Sequence, residues 1–456
     1  MNDDHASAET RRYGRSAAAL TAALGLGGIL TYLFFALCSH SLGKDEYGEI
    51  VVLWSTVFLL ASTLFRPIEQ LLARTLAERD QARAETRDAL TAAAKIQGGV
   101  CLTSVVALML ARHPIETELF GGDSVLYWSM VVSLLGFGFA YYARGYLAGR
   151  GQFSLYAVLM MSEVLLRLAF AVVVVVGIAG GTDLIAIGIA IAPIAGLAVI
   201  PVAVRRHGAS LEPGAAAPNG GGTALTLGSG GAFAGAVLLM MLSEQVLVSS
   251  GALFVRAAEG AAAAGFIFNV LLIARAPLVL FQAIAASLLP HLTRLRARGD
   301  ESSRDAFRAS LESTMMLIAG FAVVTTIAIL AVGPQVMQIA FGDKFEYDRL
   351  GMAIVSVGMG FYLVAASLNQ ATLAQGQAHR AAARWVLCAL AFVAFNLVGP
   401  AGPFRAVEVG FAGSAVLLSV LLYLVYASPH PNAGDSLEPG SGRERQALLA
   451  ASDEVG

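Results

Sequence analysis

Charge and cysteine are both scarce in this sequence. Only 14% of its 456 residues are charged, against 57% that are hydrophobic, which is too little polar surface to cover a soluble globule of this length. The three cysteines, Cys38, Cys101 and Cys388, lie in or beside apolar segments. Their odd number argues against a disulfide framework, and we interpret them as small packing residues. The net charge of -2 and the lack of a basic patch with interleaved aromatic residues predict no nucleic-acid partner.

Signals of catalysis and of a bound cofactor are also missing. No His lies within an apolar segment, no pair of His or Cys has the spacing of metal ligands, and no phosphate loop of the Gly-x-x-x-x-Gly-Lys type occurs. We therefore expect no enzyme, no metal and no cofactor. Energy for transport would come from an ion gradient, the membrane potential or the substrate gradient, because nothing in the chain predicts ATP hydrolysis.

The sequence does contain about twelve apolar segments. Each could cross a bilayer core of ~30 Å, which takes ~20 residues of helix. Several are apolar on every side, as in Leu168–Val176, and lipid offers no water to exposed backbone groups, so helices are expected. The sequence thus predicts an all-α integral membrane protein. Its predicted spans are residues 16–38, 49–73, 91–111, 125–147, 154–178, 183–203, 228–250, 264–289, 310–333, 351–374, 382–399 and 406–427.

Basic residues predict how these spans are oriented. Lys and Arg in short loops remain on the cytoplasmic side of a membrane, and most of the 30 basic residues fall in alternate connections. We therefore expect an even number of spans, with both termini cytoplasmic, in the cytoplasmic (inner) membrane of a bacterium. The basic residues assigned to that side are Arg11, Arg12, Arg15, Arg74, Arg79, Arg83, Arg87, Lys95, Arg144, Arg150, Arg205, Arg206, those between Arg294 and Arg308, Arg380, Arg384, Arg443 and Arg445.

A Gly-, Pro- and Ala-rich stretch divides the chain into two halves. It follows the sixth span, and Leu147–Gln152 after the fourth span resembles Leu373–Gln377 after the tenth. Six spans in each half give both halves the same orientation, which is a parallel repeat. The predicted organisation is a cytoplasmic tail (1–15), a first six-helix bundle (16–206), a cytoplasmic linker (207–225), a second six-helix bundle (226–428) and a disordered cytoplasmic tail (429–456).

Arg275 is the strongest candidate for a functional residue. It stands about eleven residues into the eighth span, two residues before Pro277, which removes a backbone hydrogen bond and favours a bend toward a cavity. Charges at that depth are costly and most often functional, and a guanidinium suits a phosphate or a carboxylate. The structural alternative is an ion pair with Glu244 on the seventh span.

The other charged residues within spans have two interpretations each. Glu163 and Arg167 are four residues apart on the fifth span, so they either neutralise each other or line a cavity in which the carboxylate binds a proton or sodium. Arg66, close to Glu69 on the second span, either lines the cavity or extends to the membrane surface. Uncharged polar residues are expected to bond neighbouring helices; these are Asn269, Asn369, Gln370 and Asn396.

The chain resembles the oligosaccharide flippase (polysaccharide transporter) branch of the multidrug, oligosaccharidyl-lipid and polysaccharide exporter superfamily. The order and spacing of five fragments on the twelve-span layout carry this resemblance: Leu42–Ile50, Arg144–Ala157, Leu289–Arg294, Phe341–Phe345 and Leu373–Gln377. The resemblance implies two bundles around a central cavity that opens alternately to each side. It also implies transfer of a polyprenyl-pyrophosphate-linked oligosaccharide to the outer leaflet for cell-surface polysaccharide biosynthesis.

On this interpretation Arg275, Arg66 and Arg167 would contact the pyrophosphate, and Glu163 or Glu244 would couple transport to an ion. The partners would be the lipid-linked oligosaccharide, membrane lipids, and a glycan polymerase or glycosyltransferase. Two alternatives remain. A cation-coupled multidrug exporter of the same superfamily would bind its substrate by acidic residues such as Glu163 and Glu244, and a non-transporting membrane scaffold of glycan assembly would need no polar cavity.

Overall fold

The computed structural model describes residues 2–81, 85–178, 180–208, 230–275, 301–399 and 402–428. In these ranges every regular element is a helix. Short helical pieces, Arg112–Pro114, Ile115–Leu119, Leu197–Val199 and Ile200–Gly208, accompany thirteen longer helices there. The longer helices are α1 (Asn2–Ser41), α2 (Lys44–Gln81), α3 (Arg87–Leu110), α4 (Ser124–Gly149), α5 (Phe153–Val175), α6 (Thr182–Gly196), α7 (Gly230–Ser249), α8 (Gly251–Glu259), α9 (Ala261–Arg275), α10 (Glu301–Phe341), α11 (Arg349–Ala374), α12 (Ala378–Val398) and α13 (Pro403–Ala427).

Within the described ranges, ten helices are long and apolar enough to cross a membrane. The pair α7 and α8, bent by 46° at Ser250, meets the same criteria when its two helices are taken together, which gives eleven if the pair is one broken span and not a re-entrant loop. The shorter apolar helix α9 begins the predicted eighth span (264–289), the rest of which lies outside the described residues together with Pro277. The all-α membrane fold predicted from the sequence is confirmed, and the chain is a multi-pass membrane protein.

Three helices are much longer than the predicted spans. α1, α2 and α10 contain 40, 38 and 41 residues, and at ~1.5 Å per residue α10 is roughly 60 Å long, twice the thickness of a bilayer core. The apolar pattern alone marks only the part in lipid, whereas the polar ends continue the helix into water. Residues 2–15, predicted as a separate tail, are accordingly continuous with the first span.

The packing of the first six spans recurs in the last six. In the first half α1 packs on α5, α3 on α4, and α6 on both α4 and α5. The corresponding pairs of the second half are α7 with α12, α10 with α11, and α13 with both α11 and α12. This is the relation expected of a parallel repeat. The predicted linker (207–225) and C-terminal tail (429–456) lie almost wholly or wholly outside the described residues, so these bounds stay predictions.

The repeated sequence fragment at Leu147–Gln152 and Leu373–Gln377 is a helix end. Gly151 and Gly376 have φ of 64° and 76°, a left-handed conformation that glycine adopts without a Cβ penalty. In both places the backbone N–H of the glutamine that follows the glycine donates to a backbone carbonyl of the last helical turn. The N-termini also correspond, because Asp123 caps α4 and Asp348 caps α11 through their carboxylates.

Candidate functional site

Arg275 lies between the two halves. It is the last described residue of α9, and its half-buried side chain lines a small cavity with Trp54 and Ser55 of α2 and Ser249 of α7. The charge is within electrostatic range of the phenol groups of Tyr32 and Tyr362. Its Nε makes no hydrogen bond within the described part of the chain. A buried guanidinium with an unused donor is available to an anion that enters this cavity.

Glu244 is held by a tyrosine. The Tyr362 hydroxyl of α11 donates to Glu244 Oε1 (2.7 Å), and Arg66 of α2 is within electrostatic range of the same carboxylate. The alternative of an ion pair between Arg275 and Glu244 is not found among the described contacts. The reason is geometric, since Tyr362 and Arg66 approach Glu244 from two other helices. Arg66 thereby interacts electrostatically with the second half of the protein.

Glu163 forms a buried ion pair that the sequence analysis did not predict. Its Oε2 is 2.5 Å from Nη2 of Arg144, and both side chains are less than a tenth exposed. Arg144 was counted with the cytoplasmic-side basic residues and lies near the end of the predicted span 125–147. It is inside α4, since that helix continues to Gly149 before the glycine-dependent end at Gly151. In the sequence, Arg144 stands five residues before Gly149, and this position could have indicated that it lies within the helix.

Arg167 is not neutralised by a side-chain ion pair with Glu163, its neighbour four residues back. Its Nε approaches only the backbone oxygen of Glu163 (3.4 Å), and its Nη1 has no hydrogen-bond partner in the described residues. The guanidinium instead lies over the Trp54 ring, 4.4 Å from the ring centroid, which is a favourable cation–π geometry. The i,i+4 spacing therefore predicted the shared helix face correctly, but not the partner.

Glu69 connects the two parts of this cluster. The Tyr156 hydroxyl of α5 donates to Glu69 Oε1 (2.7 Å), and Glu69 is within electrostatic range of both Arg66 and Arg144. The ring of Tyr141 lies beneath Arg144, with the guanidinium 4.7 Å from its centroid. These tyrosines carry no distinctive sequence pattern, and only the packing of α2, α4 and α5 brings them to the charges.

The result is one buried charge network that crosses both halves. Its described members carry four positive and three negative formal charges, which leaves one positive charge uncompensated, and uncompensated buried charge favours a counter-charge from outside the protein. We call this set the charge network; it consists of Arg66, Glu69, Arg144, Glu163, Arg167, Glu244 and Arg275.

The end of the bundle where α1 meets α2 is tightly closed between the halves. The Tyr47 hydroxyl donates to Oδ1 of Asn269 (2.5 Å), and both residues are fully buried. A Cβ placed on Gly48 would lie 1.9 Å from the backbone oxygen of Ala261, so only glycine allows this approach. We call this contact region, residues 42–48, 256–269 and 342–345, the sealed end.

Further contacts reinforce the sealed end. The Phe345 ring packs on Tyr47 and Phe266, with centroid distances of 5.1 and 4.9 Å, and the Lys344 ammonium donates to the backbone oxygen of Leu42. Lys344 lies in the loop after α10, where burial and the positive charge of Lys44 lower its pKa. The residues from the first connection, together with Ala261, Lys344 and Phe345, lie in odd-numbered connections, which the basic-residue pattern assigns to the outer side. Phe266 and Asn269 lie beside them in the predicted eighth span.

A second polar group lies beside the sealed end, within the second half. Glu408 of α13 accepts hydrogen bonds from Tyr347 (2.5 Å) and Arg405 (2.7 Å), and Arg405 also pairs with Asp348. The group borders a cavity of about 510 Å³. Its polar groups are mutually satisfied, so we interpret it as a connection between α11 and α13.

Two of the predicted helix-bonding residues form such bonds. Asn269 joins the halves through Tyr47, and Asn369 of α11 accepts a hydrogen bond from Trp385 of α12 (3.0 Å). Asn396 donates only to Phe392 of its own helix. Asn269 therefore joins the two halves, and Asn369 joins two helices of the second half.

Comparison with known proteins identifies the fold. No protein-family model matches the chain, and no curated protein sequence is significantly similar to it. A solved inward-facing multidrug resistance MATE family transporter of the MOP superfamily matches with a TM-score of 0.67 and 12% identity, over 93% of this chain and 96% of that one.

Two further solved structures agree. A Vibrio cholerae MATE transporter matches with a TM-score of 0.62 and 16% identity, over 91% of this chain and 97% of its own. A MOP superfamily transporter from Pyrococcus furiosus, described as having a binding pocket of reverse polarity that suggests a different function, matches with a TM-score of 0.62 and 13% identity, over 90% and 95%. The chain therefore has the fold of the MATE transporters of the MOP superfamily.

Proposed function

We propose that this protein is a transporter that moves a polyprenyl-pyrophosphate-linked oligosaccharide across the cytoplasmic membrane by alternating access. The observation that carries the proposal is the charge network, with its excess positive charge between the two halves. A cationic drug would be repelled there, whereas a pyrophosphate would be attracted. The solved P. furiosus transporter with a pocket of reverse polarity shows that one fold can accommodate different pocket charges.

The expected contacts follow from the free donors. Arg275 has an Nε without a hydrogen-bond partner among the described residues and borders a cavity between the halves, so it is proposed as the main phosphate ligand. Arg66, half-buried and opposite Glu244, is proposed as the contact from the first half, and Arg167 as a further donor through Nη1. Charge-assisted hydrogen bonds of this kind offset the dehydration of an anion, while the polyprenyl chain remains in lipid.

The sealed end supports a direction of loading. With the contacts of Tyr47, Asn269 and Gly48 intact, an anion cannot reach Arg275 from that side, so the network must be loaded from the side of the chain termini. The basic-residue pattern assigns the termini to the cytoplasm. Glycosyltransferases that complete the lipid-linked sugar on the cytoplasmic side, and a polymerase that consumes it outside, are the partners this direction implies.

Reconstitution tests the proposal. Wild-type protein in liposomes should move a fluorescent undecaprenyl-pyrophosphoryl oligosaccharide, and Arg275→Ala should slow that movement roughly ten- to a hundredfold, as expected for about 1.5–3 kcal/mol from a hydrogen bond to a charged group. Arg275→Lys should recover part of the rate, because it keeps the charge but loses the planar fork. Arg112→Ala is the matched control, since Arg112 pairs with Glu116 outside the charge network.

A multidrug exporter is the second candidate, favoured by the multidrug transporter among the similar solved structures. On that function, Glu244→Gln would abolish export of a cationic dye, and Arg275→Ala would leave export unchanged or faster. A scaffold of glycan assembly would show neither activity and would tolerate both substitutions. If wild-type liposomes move the dye but not the lipid-linked sugar, the proposed substrate is wrong.

A further inference from the structure

The Arg144–Glu163 ion pair is enclosed but incompletely bonded. Glu163 uses Oε2 for Arg144, while its Oε1 makes no hydrogen bond in the described ranges. Arg144 Nε and Arg167 Nη1 are unpartnered in the same way. Buried polar atoms are nearly always bonded, so three such atoms in one cluster indicate that a ligand or a second arrangement completes it.

The groups around Glu163 define how its charge is balanced. Arg144 approaches from α4, Arg167 from its own helix, and Glu69 from α2. Helix α6 approaches through Gly196, where an added Cβ would lie 3.2 Å from Glu163 Cγ, and so contributes backbone and no charge at that point. The Glu163 carboxylate is therefore stabilised by two arginines and opposed by one glutamate.

Competition for Arg144 follows from this arrangement. An anion that binds Arg144 through both Nε and Nη2 must displace the Glu163 carboxylate, because Glu163 Oε2 already occupies Nη2 at 2.5 Å. A carboxylate that loses its partner in a buried site is strongly destabilised, and uptake of a proton removes the charge. The half-buried Glu69 is within electrostatic range of Arg144, and the half-buried Arg66 is within range of both Glu69 and Glu244, so this ion pair belongs to the same charge network as the groups between the halves.

We propose that Glu163 occupies the anion site of Arg144 and Arg167 when no substrate is bound, and that a dianionic headgroup displaces it together with uptake of one proton by the carboxylate. The inference rests on the proposed function and adds a ligand, Arg144, and a competitor, Glu163, to its site. When the headgroup leaves, the proton returns to water and the ion pair forms again.

Binding of radiolabelled sulfate to the purified full-length protein tests the proposal, since sulfate is a dianion whose own charge does not change in the range used. Between about pH 8 and about pH 6 its affinity for the wild type should rise by up to tenfold per pH unit, the limit for one linked proton. Glu163→Gln should bind sulfate at least as tightly as the wild type at low pH, with no pH dependence. Glu116→Gln, a control carboxylate that pairs with Arg112 outside the charge network, should keep the dependence.

Each other outcome has a defined meaning. Wild-type affinity that does not change with pH, or a dependence that persists in Glu163→Gln, overturns the inference and leaves the proposed function standing. If Glu163→Gln does not fold, the double variant Arg144→Gln with Glu163→Gln replaces it and must bind sulfate weakly and without pH dependence. If neither sulfate nor a polyprenyl pyrophosphate binds the wild type at any pH, the proposed function itself fails.

Discussion

Replacing Gly48 by alanine should prevent the sealed end from closing. The new Cβ would lie 1.9 Å from the Ala261 oxygen and 2.2 Å from its carbonyl carbon, and real Cβ contacts are at least 3.0 Å. Because both contacting atoms belong to backbone, no side-chain rotation relieves the overlap. α2 and α9 must therefore separate by at least 1.1 Å at this point.

The displacement should also break the adjacent hydrogen bond. If Tyr47 moves with Gly48, its distance to Asn269 grows from 2.5 Å to about 3.6 Å, which is no longer a hydrogen bond. Overpacking of this kind costs ~1–3 kcal/mol, and a buried hydrogen-bond partner left unsatisfied costs ~1–3 kcal/mol more. We expect the closed state to lose about 2–6 kcal/mol, a shift of roughly 30- to 20,000-fold toward a state open at this end.

Labelling of a single cysteine measures this shift. Ser249 lines the cavity beside Arg275, so Ser249→Cys, in a protein whose three native cysteines are replaced, reports access to the site. A membrane-impermeant maleimide added from the outer side should label it slowly in the parent and at least tenfold faster with Gly48→Ala. Gly43→Ala is the matched control, because its Cβ would meet only the flexible Glu46 side chain, at 3.3 Å. Equal labelling of Gly48→Ala and Gly43→Ala would refute the assignment of this contact as the gate.

Three further predictions concern other parts of the molecule. Tyr362→Phe removes the hydrogen bond to Glu244 and should slow transport of the lipid-linked sugar about tenfold; an unchanged rate in the liposome assay would contradict a role for this pair. Asp123→Ala removes the cap of α4 and should cost ~1 kcal/mol, seen as a lower Tm than that of Asp183→Ala, whose α6 is preceded by Gly181 without a side-chain cap. Burial and the charge of Lys44 lower the pKa of Lys344 in the closed state, so protonation of Lys344 favours the open state. Outer-side labelling of the cysteine reporter should therefore slow as pH rises through that lowered pKa. Lys344→Met should remove this dependence.

The role of Trp54 is open to a direct comparison. The Arg167 guanidinium lies over the Trp54 ring. Trp54→Phe should therefore retain most of the transport rate and Trp54→Leu should reduce it, because only an aromatic ring offers the cation–π interaction. Rates measured in the same liposomes would decide this. Equal rates for the two variants would show that the contact is packing alone.

The sequence by itself determined the features that depend on neighbouring residues. Hydropathy is a local property, so the helices and their membrane environment could be predicted before any contact was known, whereas the transporter fold was implied by the resemblance of short fragments. The repeated helix end at Gly151 and Gly376 was visible as a motif for the same reason, since its conformation is set within one turn. The full lengths of α1 and α10 were not visible, because their polar ends carry no membrane signal.

Only the tertiary structure decided which charges meet. Arg144 was counted with the cytoplasmic-side basic residues, and Glu163 was expected either to neutralise Arg167 on its own helix or to bind an ion in a cavity. The two residues instead pair with each other across α4 and α5. The sealed end depends on the contact between Tyr47 and Asn269, which are 222 residues apart in the sequence. Ion pairs and hydrogen bonds act over a few ångströms in space, regardless of distance along the chain, so periodicity and spacing carry almost no information about them. The membrane environment therefore determines which segments are helices, and the packing of those helices determines which residues form the site.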